Sequence, residues 1–244
     1  MRFNRLILLV LVISSSCAPM YIPNSRNTPL FRGQGEFQGT AVFTTGIDLQ
    51  GAYALTDHLG IMGSYSILSE NANDPQNTSE TFKRKLNYFE GGLGYFNATR
   101  SRRIEFYAGY GQGESTTTGQ YYFFFQDFGQ QELIVTGKYK RYFIQPAIGT
   151  NNKGFNIAIA PRISFVDFYE FTAYNITEQP NEDMVIFLEP ALVTKFPLTS
   201  TLNGTFQLGL NFPITGEAFF EHTPIQAAIG IQLHVGGNLR TRVY

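Results

Sequence analysis

The chain has 244 residues, and its 18 Lys+Arg against 19 Asp+Glu give a formal net charge of -1. This balance creates no broad positive field, so we expect no nucleic-acid partner. Charged residues make up 15% of the chain, against about 25% in ordinary soluble domains. The single cysteine excludes an intrachain disulfide framework.

Residues 1–16 are predicted to be a targeting segment. Arg2 and Arg5 precede the short apolar run Leu6–Ile13, and three serines then lead to Cys17. The run is far shorter than the roughly 20 residues of a membrane helix. The pattern resembles a bacterial lipoprotein signal, although Ser14 stands where an aliphatic residue is usual. That resemblance implies lipidation of Cys17 and an anchor in the periplasmic leaflet; the alternative is an ordinary secretory signal followed by a free thiol.

Residues 17–35 contain three prolines and several short polar side chains. Proline fixes its own backbone and cannot donate to a ladder, so such a stretch favours an extended chain. We predict an extended tether here rather than a domain.

Apolar and polar residues alternate with a period of two after Gly35, which is typical of strands. The predicted strands are 36–44, 47–55, 61–68, 85–97, 103–115, 133–149, 155–171, 184–197, 205–212 and 225–235. About ten strands are therefore expected, with eight as the alternative. No helical periodicity follows the targeting segment.

The stretch 155–165 shows the two faces most clearly. Its bulky face carries Phe155, Ile157, Ile159, Ile163 and Phe165, and its other face carries Asn156, Ala158, Ala160, Arg162 and Ser164. In a membrane barrel the bulky face meets lipid and the small or polar face lines the lumen. We therefore expect Ile159 to be exposed and Arg162 to lie inside.

Short turns and long connections alternate along the predicted strands, as in barrels with one rim in the periplasm. The chain from 36 to 236 resembles the small outer-membrane β-barrels of Gram-negative bacteria, of the porin-like or OmpA-like class. The resemblance implies an all-β, antiparallel up-and-down transmembrane barrel in contact with outer-membrane lipid. An even number of strands predicts both termini on the periplasmic side. Residues 237–244 form a basic C-terminal tail.

Charged residues on the small face are predicted to form a polar network in the lumen. They are Asp48, Glu90, Glu105, Arg141, Arg162, Glu189, Lys195 and His234. Charges in a narrow lumen must be paired or hydrated. A structural network that plugs the lumen is one reading, and a narrow solute path is the other. We expect an ion pair between Arg162 and Glu189, which lie at similar distances from their turns.

Two local features are harder to interpret from the sequence. Pro146, Pro161 and Pro190 fall in three consecutive strands, where each removes a ladder hydrogen bond, so we expect bulges. The aromatic run Tyr121–Phe125 lies in a long connection and is either a partner contact or an upward extension of its hairpin.

No motif indicates catalysis or a cofactor. Gly109–Gly113 lies within a strand and opens no helix, and no Cys/His cluster suggests zinc. His58, His222 and His234 have no nucleophile or orienting partner at an informative spacing. The sequence favours a non-catalytic barrel with a structural role, an accessory role in an envelope complex through its loops or tether, or a narrow channel. A barrel enzyme acting on lipid and a soluble lipocalin-like or sandwich lipoprotein remain as alternatives.

Overall fold

The fold was analysed in a computed structural model that describes residues 19–73, 81–119, 133–152, 154–174, 176–180, 183–215 and 218–237. The predicted targeting segment, Cys17, the run Tyr121–Phe125 and the tail beyond Gly237 lie outside the described residues. No helix in these ranges is long and apolar enough to cross a membrane.

Fourteen strands in the described residues form one antiparallel sheet. They are β1 (Phe37–Phe43), β2 (Ile47–Ala54), β3 (Leu59–Asn73), β4 (Thr81–Ala98), β5 (Arg102–Gly119), β6 (Leu133–Thr150), β7 (Asn156–Ala160), β8 (Ile163–Ala173), β9 (Ile176–Glu178), β10 (Val185–Leu188), β11 (Ala191–Pro197), β12 (Leu202–Leu210), β13 (Phe212–Pro213) and β14 (Ile225–Val235). Strand β1 pairs with β2 on one side and with β14 on the other, from Phe37–Val235 to Phe43–Ile229. The sheet therefore closes on itself.

The closed wall has ten strand positions, as the sequence predicted. Three of them consist of two collinear strands: β7 with β8, β10 with β11, and β12 with β13. Strand β9 pairs only with β8 and lies off the closed path. The β-sandwich alternative is wrong, because one sheet closes into a barrel and no second sheet covers it in the described part of the chain.

The proline-containing strands are interrupted rather than bulged. The breaks fall at Pro161–Arg162 and at Glu189–Pro190, whereas β6 continues through Pro146. The register shift in β6 lies elsewhere, between Lys138 and Tyr139. Across the two breaks, the Arg162 and Glu189 backbones exchange two hydrogen bonds, of 3.1 and 2.7 Å. The expected bulges are therefore wrong at these two prolines, because neighbouring breaks lie side by side and bridge each other.

The two rims of the barrel differ. The short connections after β2, β4, β6 and β11 lie at one end, which we call the turn rim. We call the opposite end the loop rim; it carries the longer connections and the short turn between β1 and β2. Strands β3, β4, β5 and β6 are 15 to 18 residues long, longer than the roughly nine to eleven residues needed to cross a membrane. Their excess length lies at the loop rim.

An apolar belt surrounds the wall next to the turn rim. Phe155, Ile157 and Ile159 point outward and are exposed, with Ile159 at 56%, while Arg162 is fully buried inside. Aromatic residues flank the belt, with Tyr110 and Tyr142 in contact at 5.1 Å on the side of the loop rim, as in membrane barrels. Beyond them the outward side chains on β6 include Lys138 and Lys140. The belt therefore marks the part of the wall that faces lipid.

A charge in the middle of the belt should be costly. Leu93 lies five residues from the end of β4 at the turn rim and is 58% exposed. We expect Leu93→Arg to lower the free energy of unfolding by about 2–4 kcal/mol, the usual loss for arginine near the bilayer midplane. Ile134, next to the loop-rim end of β6, is the control, because Arg there should cost about 0–1 kcal/mol. Urea titration in lipid vesicles measures both; equal losses would contradict this placement of the belt.

Candidate functional site: the filled lumen

Residues 19–35, which we call the lumen segment, pass through the inside of the barrel. The sequence predicted an extended tether, and the chain is extended, but residues 19–31 are all buried against the wall. Near the loop rim, Tyr21 forms a parallel bridge with His222, just before β14 begins. At the turn rim, Gly35 lies against Gly236, just after β14 ends. The segment thus follows the whole length of β14.

This path corrects the prediction for the start of the chain. The wall begins with β1 and ends with β14 at the turn rim, as an even number of strands requires. The first described residues nevertheless lie at the loop rim, because the lumen segment crosses the barrel before β1. A ten-stranded barrel is somewhat wider than one that its own side chains can fill, and the lumen segment occupies that extra space.

Wall side chains satisfy the backbone of the lumen segment. Amide groups donate to its carbonyls: Gln226 to Pro23, Gln50 to Ser25 and Gln145 to Asn27. Lys195 Nζ donates to the carbonyls of Thr28 and Pro29, and Arg103 donates to that of Leu30. In the other direction, the backbone N–H groups of Ser25, Arg26 and Leu30 donate to Asp48, Gln207 and Glu105. These bonds replace a sheet ladder, which a segment with three prolines could not form.

The lumen segment also matches the layers of the lumen. Its apolar start, Met20–Ile22, belongs to an apolar cluster with Tyr139, Phe168, Phe171, Phe187 and Phe220 near the loop rim. Its apolar end, Leu30 and Phe31, packs in clusters near the turn rim. The polar residues 24–28 lie between them. Apolar residues of the segment contact apolar residues of the wall, and its polar residues contact polar ones. This matching fixes the position of the segment along the barrel axis.

The middle layer contains the charged network. Arg141 forms an ion pair with Glu90 and donates to the Tyr21 hydroxyl. Arg162 pairs with the same carboxylate at 3.3 Å and donates to Gln145. Each guanidinium also stacks on an aromatic ring, Arg141 on Tyr88 at 4.5 Å and Arg162 on Phe143 at 4.4 Å. The two buried cations therefore share one carboxylate, and an aromatic ring packs against one face of each guanidinium.

The expected ion pair between Arg162 and Glu189 is wrong, because each of the two residues pairs with a different partner. The two residues are directly opposite through their backbones, but Glu189 pairs with Arg26 of the lumen segment at 3.3 Å. Glu189 also accepts hydrogen bonds from the hydroxyls of Tyr21 and Ser164. Arg26 in turn donates to Asn211. The lumen segment thus supplies a cation that was not among the predicted network residues of the wall.

The other predicted network residues divide between two levels. Asp48 lies in the middle layer, where it accepts from the backbone and hydroxyl of Ser25. Glu105 and Lys195 bind the lumen segment nearer the turn rim. His234 lies half-buried at the turn rim, 3.2 Å from Asn203 through its Nδ1. The structure thus brings Glu90, Arg141, Arg162 and Glu189 together with Asp48 nearby, and leaves His234 outside the network.

Sequence reasoning missed Tyr21, Asn24, Arg26 and Arg103 as network residues. Asn24 alone bridges three charged groups, since it donates to Glu90 and accepts from Arg141 and Arg162. One signal was available. A solvated tether gains nothing from the apolar groups Met20–Ile22 and Leu30–Phe31 at its two ends, and their presence indicates burial.

Cavities of very different size lie at two places along the lumen segment. A cavity of about 1120 Å³ opens at the turn rim, and its lining includes Pro29, Arg32, Gln38, Lys195 and His234. Lys195 there binds the lumen segment, so this cavity is a vestibule in front of it. A second cavity, beside Arg26 and Gln207, measures about 20 Å³, which is room for about one water molecule.

The histidines have local structural contacts. His58 is bonded through Nδ1 to the carbonyl of Phe96 at 3.2 Å. His222 packs edge-on against Phe187 with ring centroids 5.3 Å apart. Burial lowers the pKa of His222, which favours the neutral form of this ring against its apolar neighbour.

Arg103 gives a local test of the contact between wall and lumen segment. Its guanidinium binds the carbonyl of Leu30 and the side chain of Asn151, and it is buried, whereas Arg102 beside it is exposed. We expect Arg103→Ala to lower the free energy of unfolding by about 1–3 kcal/mol, because buried acceptors lose a charged donor. Arg102→Ala is the control and should change it by no more than about 0.5 kcal/mol. Similar losses in both variants would contradict the contact.

The fold and its contents define a transmembrane-type β-barrel whose lumen is filled by its own N-terminal segment. No protein-family model matches the chain, and no curated protein matches it. The solved structures similar to it are outer-membrane β-barrels. At the sequence identities given below, the likeness concerns the fold alone.

Three of these structures illustrate the likeness. The translocator domain of the autotransporter NalP from Neisseria meningitidis is 9% identical, with 95% of this chain and 94% of that chain covered and a TM-score of 0.45. The N-terminal β-barrel domain of Pseudomonas aeruginosa OprF is 11% identical over 83% and 99%, with a TM-score of 0.30. The Ralstonia pickettii toluene transporter TbuX is 12% identical over 87% and 74%, with a TM-score of 0.28.

Proposed function

We propose that this chain is a non-catalytic outer-membrane barrel, lipid-anchored at Cys17, whose role is structural or accessory to an envelope complex. The observation that carries the proposal is the filled lumen. Residues 19–31 are buried and bonded to the wall at several levels, and apolar clusters lie on both sides of the charged layer. A solute path would require this segment to leave. The apolar belt supports the location in a membrane.

The charged layer supports a structural role over a catalytic one. Catalytic acids and bases must reach a substrate. The side chains of Glu90, Arg141, Arg162 and Glu189 are at most 1% exposed, and the lumen segment covers them. Their charges are paired within the protein: Arg141 and Arg162 pair with Glu90, and Glu189 pairs with Arg26 of the lumen segment.

The closed lumen is tested by ion conductance. The purified protein, refolded in detergent and inserted in planar bilayers, should show no steady conductance, while a known porin in the same bilayers conducts. Heat-modifiable migration on gels confirms that the inserted protein is folded. A steady open level from the folded, unmodified chain would overturn the structural role in favour of a narrow channel.

The absence of catalysis is tested separately. The protein is incubated with vesicles of phospholipid and lipopolysaccharide, and released fatty acid is measured. We expect no release above that of vesicles alone. Release that disappears in His222→Ala or His234→Ala would establish a barrel enzyme acting on lipid and overturn the proposal.

The accessory role is tested in the native membrane. Gentle detergent extraction without crosslinker should give a complex larger than the barrel, with other envelope proteins in fixed ratio. A chain that migrates alone under several mild detergents would favour a solitary structural role.

A further inference from the structure

The direction of the lumen segment is fixed by contacts at successive depths. Strand β6 runs from the loop rim to the turn rim, and the segment follows it in the same direction. Met20 lies at the level of Gly137 and Leu30 at the level of Gly149, with Asn24 bonded to Arg141 and Asn27 to Gln145 between them. The chain therefore enters the lumen at the loop rim and leaves it at the turn rim.

Hydrogen bonds and ring contacts fix the segment where it enters the lumen at the loop rim. The backbone N–H groups of Met20 and Tyr21 both donate to the carbonyl of Glu221, and Thr223 donates back to Tyr21. The Tyr21 ring lies 4.9 Å from the ring of Phe187 and 6.3 Å from that of Phe220. These contacts hold residues 20–22 between the wall and the connection that precedes β14.

The loop rim is the side that faces outward from the cell in barrels of this architecture, because short turns lie in the periplasm and longer connections outside. Here β3 to β6 extend beyond the apolar belt only at the loop rim. Polar pairs such as Lys138–Glu170, with nitrogen and oxygen 2.6 Å apart, lie on this extension and are partly exposed. The extension is thus suited to water and not to lipid.

We infer that the barrel carries its own N-terminal chain across the outer membrane and displays the residues before Pro19 on the cell surface. Tyr21 is held at the loop rim, and the four residues back to Cys17 span at most about 14 Å. The hydrocarbon core is about 30 Å thick, and the lumen segment itself fills the passage through it. Cys17 therefore cannot reach the periplasmic leaflet from this position.

One consequence concerns the lipid anchor and rests on the proposed function. An acyl group on Cys17 would insert in the outer leaflet, beside the loop rim. This differs from the periplasmic leaflet implied by the lipoprotein signal alone. A second consequence concerns assembly: since β1 starts at the turn rim, the chain before it has to pass outward through the space that the wall encloses.

Surface display is tested with one short epitope inserted at three places, one per variant. The first lies between Ala18 and Pro19, the second between Thr199 and Ser200 at the turn rim, and the third after Gln179 at the loop rim. Intact cells and permeabilised cells are then stained with antibody. We expect staining of intact cells for the first and third variants, and staining only after permeabilisation for the second.

Two outcomes would overturn the inference. One is an N-terminal epitope that is reached only after permeabilisation in a folded, heat-modifiable barrel whose Gln179 epitope is reached on intact cells. The other is a reversed pattern for the two rims. If the N-terminal epitope prevents folding, Ala18→Cys labelled with a membrane-impermeant maleimide gives the same readout, with Ser200→Cys as the control.

The lipid is tested independently of the chain's path. Incorporation of labelled palmitate should be lost in Cys17→Ala. Surface staining without palmitate labelling would leave the display intact and overturn the lipid anchor of the proposed function. Palmitate labelling with a periplasmic N-terminal epitope would support the lipid anchor and overturn the surface display.

Discussion

Replacing residues 20–30 with a glycine- and serine-rich chain of equal length is expected to turn the closed barrel into a conducting one. The replacement removes the apolar side chains of Met20–Ile22 and Leu30 and the polar side chains of Asn24 and Arg26. A Gly/Ser chain is flexible and gains no burial in exchange. Water and ions can then enter the space around the charged layer.

The resulting conductance should be steady and small. Ten strands enclose a narrower lumen than the 16 to 18 strands of porins that hold an open aqueous channel. Arg141 and Arg162 remain on the wall with Glu90, and the loss of Arg26 leaves Glu189 without its ion-pair partner. Planar-bilayer recordings of the variant and of the unmodified chain, both folded by gel migration, measure the change.

A peptide added as a separate molecule distinguishes opening of the lumen from misfolding of the barrel. A synthetic peptide of residues 19–31 should block the variant's current, because it restores the layered contacts, whereas a scrambled peptide of the same composition should not. A folded variant that stays closed would show that the wall alone seals the lumen. A current that the matching peptide does not reduce would show that the loss of wall structure, and not the missing segment, opens the barrel.

The wall of the barrel was largely predictable from the sequence because its pattern is local. Period-two alternation needs only neighbouring residues, and it placed Ile159 outward and Arg162 inward, as found. The number of strands followed from the same pattern. The loop-rim ends of β4 and β5 were less predictable, because beyond the belt both faces of these two strands carry polar residues and the alternation weakens.

The contents of the lumen were not predictable in the same way. Residues 19–35 have no periodicity, and their place depends on wall residues far along the chain, such as Glu189 and Gln226 for Tyr21 and Pro23. Ion-pair partners depend on that place too. Arg162 and Glu189 were correctly expected to lie side by side, but Arg26 reaches Glu189 only because the segment enters the lumen.

Glu90 is expected to be the wall residue whose neutralisation costs the most. Its carboxylate is the shared partner of Arg141 and Arg162 and accepts from Asn24 and Tyr88. Glu90→Gln keeps the size of the side chain but leaves two buried cations without a matching charge. Breaking one buried pair in this way typically costs about 3–5 kcal/mol, and here a single change removes the partner of two.

The matched control is Glu170→Gln, which breaks the ion pair with Lys138 on the exposed extension of the wall. The Lys138 side chain is 42% exposed and that of Glu170 is 27% exposed, and pairs in such positions contribute about 0–1 kcal/mol. Urea unfolding in lipid vesicles should therefore separate the two variants by at least about 2 kcal/mol, the gap between these two ranges. Equal losses would mean that the charged layer is hydrated and not sealed.

A double substitution shows where the cost arises. If the uncompensated cations cause the loss, adding Arg141→Met to Glu90→Gln should recover part of the stability, because one buried charge is removed along with its missing partner. If the loss came from the altered shape at Glu90, the two substitutions would simply add. Recovery in the double variant, together with a closed lumen in bilayers, would show that charge matching holds this layer together and that shape alone does not.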